Sequence, residues 1–233
     1  MVRTLLVFAL LFALPLYGEN QKALKFTEQW AVDLLYDATE VVDQLCRQNE
    51  IPYFCLSGTI LGSHRDGGLI RWDGDVDIGM LEEDLQRFLT LEKELNRQGY
   101  EISPSIWDGV LWGYYVYSNK AKPSAHGKKY PAVELCPMKK IGSKVHYAVE
   151  EARVKWKNEY YTLKQWENIT DIPFGHLTLR GLTGSDADSY CTRAYGDDWS
   201  KTAVVWWDHD KDQMIKQPRV RLDEHLHAKR SPK

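Results

Sequence analysis

The 233-residue sequence lacks any excess of positive charge: 30 Lys and Arg stand against 33 Asp and Glu, a formal net charge of -3. No nucleic-acid partner is expected, because such proteins carry a basic footprint. No segment repeats at a fixed period and none is of low complexity, which excludes solenoids and long disordered linkers. Long apolar runs are scarce. One stretch, residues 5–14 (LLVFALLFAL), is unbroken, and it is shorter than the ~20 residues of a membrane span. Cysteine is sparse: Cys46, Cys55, Cys136 and Cys191 are scattered, without the spacing of a zinc site. Their even number suits two disulfides in an oxidising lumen, or four buried thiols. Aromatic residues are abundant, with nine Trp and thirteen Tyr. They fill a core and surface, or stack on a sugar-like or nucleoside ligand.

Arg3, the apolar run and the small residue Gly18 follow the order of a secretory signal. Residues 1–18 are read as a signal peptide or short signal anchor, with membrane contact only if the segment stays uncleaved. The expected location is the secretory-pathway lumen (ER or Golgi) or outside the cell. Asn168-Ile169-Thr170 is a glycosylation sequon that agrees with this. Residues 19–208 form the expected domain, and residues 209–233 a charged, loosely packed tail. His209, His225 and His227 are expected to be solvated in that tail, and His64 to lie on a surface loop.

Within the domain, apolar residues recur at three- and four-residue steps over 26–49 and 82–97, predicting two amphipathic helices. Residues 53–56, 111–117 and 132–136 read as strands. Ser57-Gly58-Thr59 turns the chain into a short helix. Ser185 is expected as the N-cap of a later helix, with the acid Asp188 three residues on as in a capping box, and Gly196 ends that helix. Helices and strands in this order predict a mixed α+β domain.

The most informative stretch is 57–80, SGTILGSHRDGGLIRWDGDVDIGM. Asp73, Asp75 and Asp77 alternate, and residues two apart on a strand face one side. Val76 and Ile78 then face the core, which a merely solvated acidic edge would not require. Three converging carboxylates repel one another, and a divalent cation relieves this. The pattern is not a calcium-binding EF-hand. Counting from Asp73, the required Gly is Ile78 and the required final Glu is Asp84. The strand–glycine turn–helix start before the acids exposes backbone N–H groups suited to phosphate.

The turn and the acids together resemble the LicD family, whose members read S-G-T-L-L-G-x-x-R-x-x-G-F-I-P-W-D-D-D-I-D-I. Ser57, Gly58, Thr59, Leu61, Gly62, Arg65, Gly68, Ile70, Trp72, Asp73, Asp75, Asp77 and Ile78 match it. Arg71 stands where Pro is usual, and Gly74 where the middle Asp is usual. Val133-Glu134-Leu135-Cys136-Pro137 and Tyr195-Gly196-Asp197-Asp198-Trp199 are similar to two later family segments. The resemblance spans 26–199.

It implies a DNA polymerase β-like nucleotidyltransferase fold, a mixed sheet flanked by helices. It also implies metal-dependent transfer of a phosphorylated alcohol, phospho-alditol or phosphocholine, from a CDP-linked donor to a glycan acceptor. Asp75, Asp77 and Glu134 would be catalytic and hold Mg²⁺ or Mn²⁺, with Asp73 as a further ligand. Ser57, Gly58, Thr59 and Arg65 would bind the donor phosphates. The competing reading is an inactive relative that binds glycans or an enzyme partner.

Overall fold

A computed structural model describes residues 24–124, 127–205, 207–209, 211, 213–215 and 219–232. The expected signal segment, 1–18, lies outside them.

Helix α1 (Gln29–Gln48) turns Val32, Leu35, Val42 and Leu45 to the core, at the three- and four-residue steps of one helical face. Strand β1 (Phe54–Cys55) leads into α2 (Ser57–Asp66), which Gly67 closes in a left-handed conformation. Strand β2 (Asp75–Leu81) follows, and then α3 (Glu82–Leu89) and α4 (Glu92–Arg97). The sequence predicts one helix over these last two. Thr90 breaks it: its hydroxyl donates to the Arg87 carbonyl at 2.7 Å, competing with the helical ladder.

Strands β3 (Tyr100–Trp107) and β4 (Val110–Ser118) form a hairpin. Two short strands, β5 (Lys122–Pro123) and β6 (Lys129–Tyr130), pair with each other before the long β7 (Ala132–Ile141). The chain continues through β8 (Lys144–Tyr147), α5 (Glu150–Lys155), β9 (Tyr161–Thr162) and α6 (Leu163–Glu167). A second hairpin, β10 (Thr170–Phe174) with β11 (Leu177–Gly181), precedes α7 (Gly184–Tyr195). Thr183, not Ser185, occupies the N-cap of α7. Asp188, expected to complete a capping box, instead pairs with His64 at 2.8 Å.

The main sheet runs β1-β2-β7-β4-β3, with β8 and β9 continuing from β7. Only β2 and β7 are parallel, so the sheet is mixed and the domain is α+β as expected. Helix α1 packs on β2, β4 and β7, and α3 on β2 and β7. Val76, Ile78 and Met80 enter the core between them, fully buried. Alternation sends Asp75 and Asp77 to the other face.

The segment expected as a loose tail packs back on the domain. Strand β12 (Thr202–Ala203) pairs β15 (Val220–Arg221), and β13 (Trp207–Asp208) pairs β14 (Gln213–Met214). Charge density does not prevent this, because the charged groups find specific partners. Arg230 binds Asp37 through two N–H groups at 2.7 and 3.0 Å, and the Ser231 N–H meets Asp33 at 2.8 Å. Val220 joins Leu24 and Ala203 in a small second core. His227 is not solvated either; its Nδ1 lies 3.1 Å from the Asp66 carbonyl. All four cysteines are buried free thiols, not disulfides. They sit in the apolar core, where burial raises their pKa and keeps them inert.

Candidate active site

The parallel pairing of β2 with β7 sets Asp77 beside Glu134 and Asp75 beside Ala132. Asp75, Asp77 and Glu134 each offer a carboxylate oxygen, all within 4.8 Å of one another. Asp73 precedes the strand rather than lying in it, so strict alternation does not place it. It arrives through the turn that hydrogen-bonds its N–H to the Ile70 carbonyl at 3.0 Å. Its carboxylate rests against Gly58, where a Cβ would lie 2.5 Å from Asp73 Oδ2. Only glycine at 58 admits that approach. The four acids line a cavity of 270 Å³.

Burial, followed by the charges of Asp73 and Glu134, pushes the Asp75 pKa well above the usual carboxylate range. Asp77 is raised well above it too, by burial first and then by Asp75, Glu134, Asp73 and Glu159. This is the signature of like charges gathered out of water. The donor set fits a divalent cation: hard oxygen ligands that are clustered and partly buried.

The phosphate-binding candidates differ among themselves. Ser57 starts α2 with φ +44°, unusual for a residue with a side chain. Its N–H donates to Tyr190 Oη at 3.0 Å and its hydroxyl to Glu159, with Tyr147 Oη 3.2 Å from Oγ. Thr59 is buried, and its Oγ1 accepts the Asp77 N–H at 2.8 Å, so it braces β2 against α2. Arg65 lines the cavity but is 2% exposed and already bound to Asp66, itself 3% exposed, at 2.7 Å. Its Nη1 also donates to the carbonyls of Trp199 and Thr202, each at 3.3 Å. Arg65 thus ties α2 to the segment after α7. His64, expected on a loop, lies in the last turn of α2 and stacks on Trp199 with centroids 5.4 Å apart.

Four groups at the cavity escaped the sequence reading. His209 lies between Asp73 and Asp75, with N···O distances of 3.3 and 3.2 Å. It is not solvated, because the β13–β14 hairpin folds it over the acids. Burial lowers its pKa, but the hydrogen bond and charge of Asp73, with the charges of Asp77 and Glu134, outweigh that and raise it. Glu159 is buried behind Ser57, and its pKa is raised by that burial. Lys155 sits among Trp107, Trp112, Trp156 and Trp207, 5.1–5.7 Å from each ring centroid. Lys128 lies 3.3 Å from the Trp107 centroid. Burial lowers the Lys155 pKa, partly offset by Glu134 and Asp108. Among the described residues six tryptophans line this cavity, which favours a stacking role over core filling alone. No local motif announces these positions; only the abundance of Trp hinted at them.

Comparison with known proteins decides the family. The family described as LicD/FKTN/FKRP, nucleotidyltransferase domain, matches residues 50–181, more than half of the chain. The chain belongs to that family. An uncharacterised protein of Rickettsia typhi is 35% identical over 192 residues, 81% of this chain and 53% of that protein. A second, from Rickettsia prowazekii, is 25% identical over 175 residues, 75% of this chain and 58% of that protein. The chain therefore spans little more than half the length of these relatives. The lipopolysaccharide cholinephosphotransferase LicD of Haemophilus influenzae is 31% identical over 81 residues, covering 35% of this chain and 30% of that enzyme. Among solved structures, the lincomycin-bound lincosamide antibiotic adenylyltransferase LnuA aligns with TM-score 0.40 at 13% identity, covering 64% of this chain and 81% of that one. The matched family model is that of a nucleotidyltransferase domain.

Proposed function

We propose that the protein transfers a phosphorylated alcohol, phospho-alditol or phosphocholine, from a CDP-linked donor to a glycan hydroxyl. The observation that carries this reading is the convergence of Asp75, Asp77 and Glu134 at one end of an aromatic- and lysine-lined cavity. Asp75, Asp77 and Glu134 would hold Mg²⁺ or Mn²⁺, with Asp73 alongside. When bound, the ion neutralises the donor diphosphate and stabilises charge in the transition state.

The other roles belong to the chain. The α2 N-terminus, beginning at Ser57 and Gly58, turns the positive end of its helix dipole to phosphate, while the Ser57 N–H is held by Tyr190 Oη. Arg65 is committed to Asp66, so Lys128 and Lys155 take over as the cations that meet the donor. Glu134 accepts the proton of the attacking hydroxyl. That oxygen bonds the phosphorus bearing the alcohol, the diphosphate bridge breaks, and CMP leaves. The tryptophans offer flat faces to the cytosine or a sugar ring. This assignment adopts the DNA polymerase β-like fold as the framework, and the secretory-pathway lumen as the location on the strength of residues 1–18 and Asn168.

The test is a panel of CDP-alcohols with Mn²⁺ and glycan acceptors, scored by CMP release. Release that disappears in Asp77→Asn supports the assignment. Glycan binding with no release from any donor would establish the inactive-relative reading instead.

A further inference from the structure

Resting on the metal-dependent reading of the site, we infer that Asp73, Asp75 and His209 form a second divalent-cation site. It shares Asp75 with the Asp75–Asp77–Glu134 site and, through its imidazole, prefers Mn²⁺ to Mg²⁺. The three side chains each offer one ligand atom, all within 4.8 Å of one another. His209 Nε2 stands 3.3 Å from Asp73 Oδ1, and its Nδ1 stands 3.2 Å from Asp75 Oδ2. One ion takes one of these nitrogens together with the two carboxylates; donors at right angles around an ion at ~2.1 Å stand about 3.0 Å apart, so the three groups, all within 4.8 Å, draw together as it binds.

Two independent features show that the chain is built to bring His209 here. A Cβ at Gly74 would lie 2.7 Å from His209 Cβ and 3.0 Å from its Cγ. Any side chain at 74 would drive the imidazole away. Gly74 is also where this sequence departs from the acid triplet it otherwise resembles. One acid is lost at 74, and the space it vacates is filled by an imidazole from far along the chain. Second, the segment carrying His209 is anchored on both sides. Ser124 Oγ donates to the His209 carbonyl at 3.4 Å, and Trp207 meets Trp107 edge-on at 5.3 Å. The Lys211 N–H caps Asp208 at 3.1 Å.

The donor types set the metal preference. The Asp75–Asp77–Glu134 site offers oxygen alone, which suits Mg²⁺ and Mn²⁺ alike. Adding nitrogen disfavours Mg²⁺, which binds few nitrogen ligands, and favours first-row transition ions. The second site is therefore the one that distinguishes these two ions.

Pulsed electron paramagnetic resonance of the full chain loaded with Mn²⁺ alone tests this without any turnover. The expected spectrum shows ¹⁴N coupling from one directly bound imidazole, and calorimetry shows two Mn²⁺ sites. His209→Gln should abolish the ¹⁴N coupling and weaken one site at least tenfold, given that even loss of a group that merely orients a ligand typically costs about 10–100-fold. Gly74→Ala should do the same by displacing the ring while leaving all ligands in the sequence. Mg²⁺ should compete for one site only. Mn²⁺ binding without ¹⁴N coupling in the parent would mean that the ion expels His209, overturning the inference but not the oxygen site. Coupling that persists in both variants would also overturn it. No Mn²⁺ binding at all would overturn the metal-dependent reading itself.

Discussion

Asp77→Asn keeps the size of the side chain and removes one of the mutually repelling charges. Asp77 has Asp75 and Glu134 within 4.8 Å, oxygen to oxygen. At that distance and an effective dielectric of ~20, each pair of unit charges repels by about 3.5 kcal/mol. Burial first, and then this repulsion, raises the Asp77 pKa. Solvent screening of the partly exposed carboxylates leaves a penalty on the order of 1–3 kcal/mol. Without divalent ions the variant should therefore melt above the parent, by about 2–10 °C for a chain of this size. Mn²⁺ at a hundred times its dissociation constant should raise the parent by about 2.7 kcal/mol, or roughly 5–10 °C, and the variant by much less. The pH dependence has a definite sign. A carboxyl whose folded pKa is raised contributes stability in full below its unfolded pKa and loses it as pH rises through the folded pKa. The metal-free parent should lose melting temperature on this account as pH rises above the unfolded carboxylate value of about 4, with a shallower slope in the variant. Differential scanning fluorimetry with and without Mn²⁺ reads all three effects. A metal-free variant less stable than the parent, with an unchanged Mn²⁺ shift, would refute the claim that these acids form a strained cation site.

Three further outcomes follow from the same geometry. Arg65→Ala strands a buried Asp66 carboxylate and should cost about 3–5 kcal/mol in urea unfolding; a loss below about 1 kcal/mol would show that Arg65 is not the tie described here. Lys155→Ala should raise the donor KM by roughly ten- to a hundredfold, the worth of a charge-assisted contact, with a smaller change in kcat; an unchanged KM would remove Lys155 from the donor site. Asn168 is exposed at the end of α6, so expression in animal cells should add endoglycosidase-sensitive mass that Asn168→Gln abolishes, and an unmodified product would contradict the luminal location.

The sequence was most legible where local chemistry and local structure coincide. Periodicity located α1 within a few residues, and alternation around Val76 and Ile78 placed β2 in the core with its acids on the far face. Glu134 came from a likeness of motif, and only the parallel β2–β7 register explains why it stands beside Asp77. The helix break at Thr90 was hidden because the apolar pattern runs on through it; a single side-chain hydrogen bond decides it. The capping box sits at Thr162 and Gln165, whereas the one expected at Ser185 yields to the hydrogen bond of Asp188 with His64.

The residues missed at the cavity share one cause: each acts by long-range placement. His209 is more than a hundred residues from the acids it meets, in a segment whose charge density reads as solvated. That reading treats charge as a cost of burial. It reverses when the destination is itself charged, because an acid cluster held out of water attracts a cation from wherever the chain can supply one. Lys155 and Lys128 follow the same logic one step further, since the tryptophan faces around them favour cations while excluding water. The acidic wall, the imidazole above it and the lysines among the tryptophans are therefore parts of one electrostatic arrangement. Replacing Lys155 should weaken a polyanionic donor more than it weakens Mn²⁺, whereas replacing His209 should do the reverse. A variant series in which both substitutions weakened donor and metal in equal proportion would show that the cavity acts as an undivided field rather than as two sites.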